Sequence, residues 1–508
     1  MEKYKHILLV VFLFVILFLL SFFLYRTYFY LGTPQITAPM AIPDNAALII
    51  KGKKAGNVLE LNRERKNFLS ILFSVSQQKR INTVLNNIFS KDKYRQLVQS
   101  ASLYLSIHST DTDDDLLFAL ETTKYYNKLL LDFLDTVRVD FKEESFLYKD
   151  NRVYALQTDN GLLYVNHQNG LLLMTFSENL MRRTINKLLL KENYLQSVME
   201  SFPNKSNENA AIYVYVQYRC FIPSLRHKIQ AAGMDVGAIN MLTSFQWSVF
   251  DLNIKKKDVL LAGYTTLDAS LTQSRWMTHK NNKSDVSKLL PVNANSVLSL
   301  KADRVDDFKN IKSAVQTVED YFSFMYPVHI LTFQVENDVD LYHYLLIKSE
   351  NISETSFHLY NAISSSFEDN QYILDTLCIG SLLIGHIDLS NFVFVRLGIS
   401  SHLPQLEYYT VVDDYVVFTN KKEAILFYAD ELRKNKTLKT SQQYQDMENY
   451  FSKAANMFYY CDFSSMKAGN NNNNPYWQSY RENIQTMRMQ FHAQSDSILL
   501  TNIVFRMQ

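Results

Sequence analysis

Glycine and cysteine are both scarce in this chain: twelve glycines and three cysteines in 508 residues. Average usage of glycine is about 7%. No G-x-G-x-x-G and no G-x-x-x-x-G-K-[ST] occurs in the sequence. Both devices need glycine so that the backbone can approach a phosphate, so Rossmann and P-loop nucleotide binding are disfavoured. Cys220, Cys378 and Cys461 lie far apart and form no C-x-x-C pair. That excludes a thiolate metal knuckle and a dense disulfide framework. The three read as small buried apolar residues, with free thiol and disulfide both open. Charge of one sign is lacking too. Lysine plus arginine number 52 against 51 acidic residues, a net of +1. There is no electrostatic case for a nucleic-acid partner. Catalytic signatures are missing as well: no G-x-S-x-G, no H-E-x-x-H, and no S-x-x-K near a partner motif.

What is present begins with an apolar run from Ile7 to Leu24, interrupted by Ser21 alone. At 1.5 Å per residue it extends roughly 27 Å, enough to cross a bilayer. Lys3 and Lys5 precede it and Arg26 follows, so the short tail is the more positive flank and is expected in the cytoplasm. A cleaved signal is the rival reading. The run is longer than a signal core, and no small-residue cleavage pattern follows Phe22 and Phe23. Tyr25, Tyr28, Phe29 and Tyr30 suit an aromatic belt at the far interface. The sequence therefore predicts a tail over 1–6, a transmembrane signal anchor over 7–25 and a linker over 26–40.

The remainder is written twice. IPDNAALIIKGKK around Pro43 is echoed by LPVNANSVLSLKA around Pro291. Each strand leads into a helical pattern, carried by Leu61, Phe68, Leu69 and Leu72 in the first copy. In the second it is carried by Phe308, Ile311, Val315, Val318 and Phe322. Asn169–Thr175 aligns with Asp413–Thr419, a turn and then a strand, 244 residues apart. The helix that follows keeps the offset: Leu180, Met181, Thr184, Ile185 and Leu188 fall on Ala424, Ile425, Tyr428, Ala429 and Leu432. Ala210–Tyr215 falls on Ala454–Tyr459. Two β-rich runs around a polar turn close each copy. The expected fold is α+β: a transmembrane helix followed by tandem duplicated domains over 41–287 and 288–508. Each is an antiparallel sheet with packed helices. Strict alternation in Leu103–Ile107 favours antiparallel pairing with one packed face.

The anchor, the IPDNAALII segment after the linker, its echo LPVNANSVL, and the Lys-, Asn-, Tyr- and Phe-rich composition carry a resemblance. The chain resembles an uncharacterised family of single-anchor envelope proteins from Bacteroidota-type bacteria. The resemblance implies an inner-membrane protein facing the periplasm, and it brings no catalytic residues with it.

Local clusters have plain structural readings. Asp111, Asp113, Asp114 and Asp115 resemble a hairpin tip more than a calcium loop, for the EF-hand glycine and glutamate are missing. Asn470–Asn474 with Pro475, Tyr476 and Trp477 reads as a polar loop, or as an exposed aromatic tip touching sugar. Lys255, Lys256 and Lys257 read as a charged hairpin turn, or as a contact to an anionic surface. Tyr213, Tyr215 and Tyr218 read as one packed sheet face, or as a stacking stripe for glycan. In a eukaryotic host Asn204, Asn282, Asn351 and Asn435 would be glycosylation acceptors. Scattered histidines leave a Ser–His–Asp arrangement possible only in three dimensions. No catalytic, cofactor-binding or metal residue is therefore assigned, and no cofactor. The expected function is a non-enzymatic, membrane-anchored periplasmic ectodomain that binds an envelope protein partner or scaffolds an assembly. The alternatives are a carrier or sensor of an apolar ligand and, behind it, an envelope hydrolase.

Overall fold

The computed structural model describes residues 2–32, 36–64, 66–109, 114–202, 210–223, 242–268, 286–301, 329–337, 340–349, 351–357, 377–379, 382–386, 406–452, 454–465, 478 and 481–508. Its strands build a large antiparallel sheet with helices packed against it. The chain divides into two compact units. One comprises Met1–Leu69, Phe73–Pro203 and Ala211–Tyr213; the other comprises Ser70–Leu72, Asn204–Ala210 and Val214–Gln508.

In the first unit the strands are β1 (Ala46–Gly52), β2 (Ser102–Ser109), β3 (Asp114–Glu121), β4 (Glu143–Tyr148), β5 (Asn151–Thr158), β6 (Gly161–Gln168) and β7 (Leu171–Thr175). They pair in the order β1–β2–β3–β7–β6–β5–β4. All five residues of β7 are buried, so it runs through the interior. The tight turn before it holds Asn169 at φ 41° and Gly170 at φ 88°. A Cβ on Gly170 would also press on the Thr122 carbonyl oxygen at 3.1 Å, which is why glycine is required there. The helix Glu178–Leu190 follows. Ser177 caps it by accepting from the Leu180 amide at 3.3 Å. Its apolar stripe, Leu180, Met181, Ile185 and Leu188, is buried.

In the second unit, after β8 (Ile212–Gln217), come β9 (Phe245–Lys255), β10 (Asp258–Leu267), β11 (Ala294–Lys301), β12 (His329–Glu336), β13 (Leu341–Lys348), β14 (Leu377–Ile379), β15 (Leu382–His386), β16 (Tyr408–Val412), β17 (Tyr415–Thr419), β18 (Met457–Asp462), β19 (Ile484–Ser495) and β20 (Ile498–Met507). The order β11–β12–β13–β17–β16 repeats the order β1–β2–β3–β7–β6. Asp413, at φ 52°, opens the β16–β17 turn as Asn169 opens β6–β7. The helix Lys422–Arg433 buries Ala424, Ile425 and Tyr428. These are the residues that align with Leu180, Met181 and Thr184. Phe333, Tyr344 and Tyr428 stack at the centre of this core.

Two features of the expected fold are corrected. The strands do not sort into one separate sheet per tandem domain. The hairpin β9–β10, read as the end of the first domain, pairs with β20 at the chain's end. Nine residue pairs form that ladder, from Asp258↔Arg506 to Thr266↔Ile498. Sequence similarity cannot reveal this, because it matches equivalent strands and not the partners they choose. The transmembrane helix is corrected as well. A helix runs from Glu2 to Gly32, through all of the expected anchor and into the expected linker. Among the described residues, however, no helix is long and apolar enough to cross a membrane.

A strap of the second unit lies over the β19–β20–β10 face. It consists of the helix Gln442–Glu448 and the residues to Ser452. Gln490 accepts from the Ser452 amide at 3.0 Å and donates to its carbonyl at 2.6 Å. The Arg488 guanidinium is boxed by the rings of Phe451, Tyr444 and Phe458 at 4.2, 4.8 and 4.9 Å. Arg506 grips Asp258 with two bonds, Nε to Oδ1 at 3.0 Å and Nη2 to Oδ2 at 3.2 Å. Tyr450 adds a hydroxyl donor to Oδ2 at 3.1 Å. The Arg506 and Asp258 side chains are only 14% and 10% exposed. Removing one partner of such a pair leaves the other charge uncompensated, at about 3 kcal/mol. Arg506→Gln is therefore expected to lower the urea-unfolding stability by about that amount. Adding Asp258→Asn should restore part of the loss. A single-variant shift well under 1 kcal/mol would show that this pair does not fasten the strap and ladder.

Candidate functional site

Strand alternation puts Ser106 and His108 on one face of β2. The Ser106 hydroxyl lies 2.9 Å from His108 Nε2, and His108 Nδ1 lies 3.2 Å from the Asn45 Oδ1. An amide oxygen only accepts, so Nδ1 carries the proton and Ser106 donates to Nε2. That is the direction of a nucleophile–base pair. Two facts argue against catalysis. Ser106 and His108 are fully buried, which bars a substrate. Burial, reinforced by the charges of Arg183 and Lys187, pushes the His108 pKa down to about 3, too weak for a base near neutrality.

The second unit repeats the chemistry at different positions. Ser299 Oγ sits 2.7 Å from His329 Nε2, and His329 Nδ1 sits 2.9 Å from the Tyr415 hydroxyl. Here too the histidine is buried, and its pKa is pushed down to about 3 by burial and by Lys301 and Lys348. Neither imidazole is held by a carboxylate, the third member a hydrolase arrangement requires. The sequence shows the S-x-H spacing in β2, but not Asn45, 63 residues away.

A cleft of about 480 Å³ opens in the first unit, between the helix Ala55–Glu64 and the stretch Phe89–Gln99. Its floor is apolar: Leu59, Phe89 and Val98, all buried. Its rim is charged. Lys91 is taken up by Asp140 at 2.8 Å. Among the described residues, Glu60, Glu64 and Asp92 on one side of the ledger and Arg63 and Arg95 on the other form no side-chain hydrogen bond or ion pair. The sequence reading did not single these residues out. The available signal is the i,i+4 spacing of Glu60 with Glu64 and of Lys91 with Arg95, which nothing distinguishes from an ordinary solvated face.

The residues singled out from sequence do not converge. Lys255–Lys257 form the β9–β10 turn, with Lys256 at φ 42°. Tyr215 and Tyr218 are buried, and the Tyr218 hydroxyl lies 3.0 Å from Ser248 Oγ, so they offer no stacking surface. Asp114 and Asp115 open β3 at a hairpin end. Asp111, Asp113, Asn470–Asn474, Trp477, the Phe308–Phe322 helix, Asn204 and Asn282 lie outside the described residues. Cys220 and Cys461 are free thiols, and Cys461 is fully buried. Among the described residues no group of three or more His, Cys, Asp or Glu side chains is placed to hold a metal.

No family model matches the chain, and no curated protein matches it. Parts of it are similar to solved structures of TP0453. Crystal form I is 8% identical over 46% of this chain and 79% of that one, at a TM-score of 0.23. Crystal form III is 10% identical over 49% and 90%, at 0.25. Likeness at that level carries no argument about function.

The two buried histidines make stability depend on pH. In the unfolded chain each titrates near 6.5; in the fold each has a pKa of about 3. The folded state therefore binds fewer protons between those values. The stability is intact above about pH 6.5 and is lost as the pH falls toward 3. Urea midpoints measured from pH 8 to 4 are expected to fall below about pH 6.5. His108→Gln should flatten the fall. An imidazole signal from His108 titrating near pH 6.5 would contradict the buried neutral state.

Proposed function

We propose that this protein is a non-enzymatic binding protein held at a membrane by its N-terminal helix. One observation carries the reading. Thirteen large apolar side chains between Phe12 and Tyr25 are at least 44% exposed, with Phe14 at 77% and Phe23 at 69%. A contiguous surface of that kind marks an interaction with lipid or protein. Each such side chain gains about 1.5–3 kcal/mol on leaving water, so a dozen of them outweigh the cost of immobilising one helix at a lipid surface. The run carries no charge between Phe12 and Tyr25. A protein-only groove would need to surround the helix, since every side chain described from Phe12 to Thr27 is exposed; lipid does so without a dedicated fold.

Binding is favoured over catalysis by the site chemistry. The two histidines placed next to serines lack a carboxylate and lack access, while the open cleft carries unpaired charges of both signs above an apolar floor.

The helix reading is tested by flotation. The full chain, mixed with vesicles of phosphatidylcholine and phosphatidylglycerol, should rise with them in a density gradient and stay bound in high salt. Leu17→Asp with Leu20→Asp places two charges in the apolar run, each at about 2.5–3.5 kcal/mol. That variant should stay at the bottom of the gradient. Wild-type protein that remains at the bottom with vesicles present would refute membrane attachment.

A further inference from the structure

We infer that the cleft of the first unit is a site for a small zwitterionic ligand with an apolar body: a hydrophobic amino acid or a dipeptide. The inference extends the binding reading and rests on it; it does not depend on the membrane helix.

The volume comes first. About 480 Å³ lies in the lower half of the range for small-molecule sites. The floor is three side chains wide, Leu59, Phe89 and Val98. That covers one or two apolar side chains of a ligand but not a long acyl chain. Phe89 also stacks on Phe133 at 5.4 Å, so the floor is backed by core and does not collapse inward.

The charges decide the class. Glu60 and Glu64 are both exposed and one turn apart on the helix Ala55–Glu64. Like charges at i,i+4 destabilise a helix by a few tenths of a kcal/mol. Arg63 sits beside them yet forms an ion pair with neither. A ligand ammonium group placed at Glu60 and Glu64 relieves that repulsion. On the other wall Arg95, at the start of the helix Arg95–Ser100, has no carboxylate partner either. Its planar fork matches a ligand carboxylate bidentately. A purely anionic ligand would meet three carboxylates, and a purely cationic one two guanidinium groups. A ligand carrying both signs satisfies both walls. Each wall carries both signs, with Arg63 beside Glu60 and Glu64 on one helix and Asp92 three residues before Arg95 on the other stretch, and these side chains form no ion pair with one another.

The probe is the dipeptide phenylalanyl-leucine, titrated calorimetrically into the full chain, alongside its N-acetylated and C-amidated forms. The free dipeptide should bind, and blocking either end should weaken binding about tenfold, the equivalent of 1.4 kcal/mol. Glu60→Gln with Glu64→Gln should erase the difference between the free and acetylated forms. Arg95→Gln should erase the difference between the acid and the amide. All these side chains are on the surface, so circular dichroism should show every variant folded. Equal binding of the three forms would overturn the zwitterion assignment. No binding of the free dipeptide at about 5 mM, weaker than the about 1 mM typical of weak sites, would overturn the site. Failure of flotation with dipeptide binding retained would remove the membrane reading and leave this one standing.

Discussion

The ladder between β10 and β20 is the constraint on which the second unit depends. It joins a hairpin near the middle of the chain to the last strand, across 248 positions at Asp258 and Arg506. Such a pairing joins residues far apart in the chain and carries a loop-closure cost that local hairpins do not. Its two ends are secured differently. At one, the Asp258–Arg506 pair and the Tyr450 hydroxyl lock strap to strand. At the other, a buried hydroxyl relay runs from Ser248 to Thr265 at 2.6 Å and on to Thr501 at 2.7 Å. Between them Gly263 lets β9 come close, for a Cβ there would meet the Val249 carbonyl oxygen at 1.9 Å.

Much of the local structure was legible in the sequence, for a physical reason. Turn–strand–helix units write themselves locally: Asn169-Gly170 needs left-handed backbone, β7 needs an apolar run, and the helix Glu178–Leu190 needs a stripe at i, i+4, i+7. The match to Asp413, β17 and the helix Lys422–Arg433 follows from the same local rules. Which strand neighbours which is a different kind of information. Equivalent hairpins look alike whether they close their own sheet or meet each other, so the partnership of β10 with β20 leaves no mark in periodicity. The anchor shows the opposite failure. Hydropathy is a property of the segment, and it was read correctly as an apolar run. The helix Glu2–Gly32 carries that run, yet among the described residues no helix is long and apolar enough to cross a membrane.

The site was less legible than the fold. The His108 network uses Asn45, Ser106 and His108 from two strands' ends. Only the β1–β2 register, with Ala46 opposite His108, brings Asn45 within reach. Once in place, burial decides the chemistry. A neutral imidazole between two neutral hydrogen-bonding groups satisfies every donor without a buried charge. Replacing Asn45 with a carboxylate would supply the missing member of a hydrolase arrangement, at the price of an ionised group in a dry sheet. The cleft shows the converse. Its charges stay in water, so nothing forces them to pair, and sequence spacing alone cannot separate a ligand site from a solvated helix face. What separates them is the apolar-floored cleft beneath.

The scarcity of glycine also shapes the surface. Among the described residues, seven left-handed positions are held by residues with a side chain: Lys149, Asp150, Asn169, Lys191, Lys256, Asp413 and Asn435; only Gly161 and Gly170 use glycine there. Asn and Asp tolerate that conformation through local hydrogen bonds, whereas lysine accepts a strain of about 1 kcal/mol. Each of these residues loses less freedom on folding than glycine would, so the turns are stiffer in the unfolded chain as well. A turn built from Asn, Asp or Lys cannot bring its backbone amides against a phosphate as a glycine loop does, since the Cβ stands in the way. Among the described residues the tight hairpins turn mostly on such side chains and not on glycine loops. Ligand recognition then falls to side chains on helices, which is where the cleft of the first unit carries most of its charges.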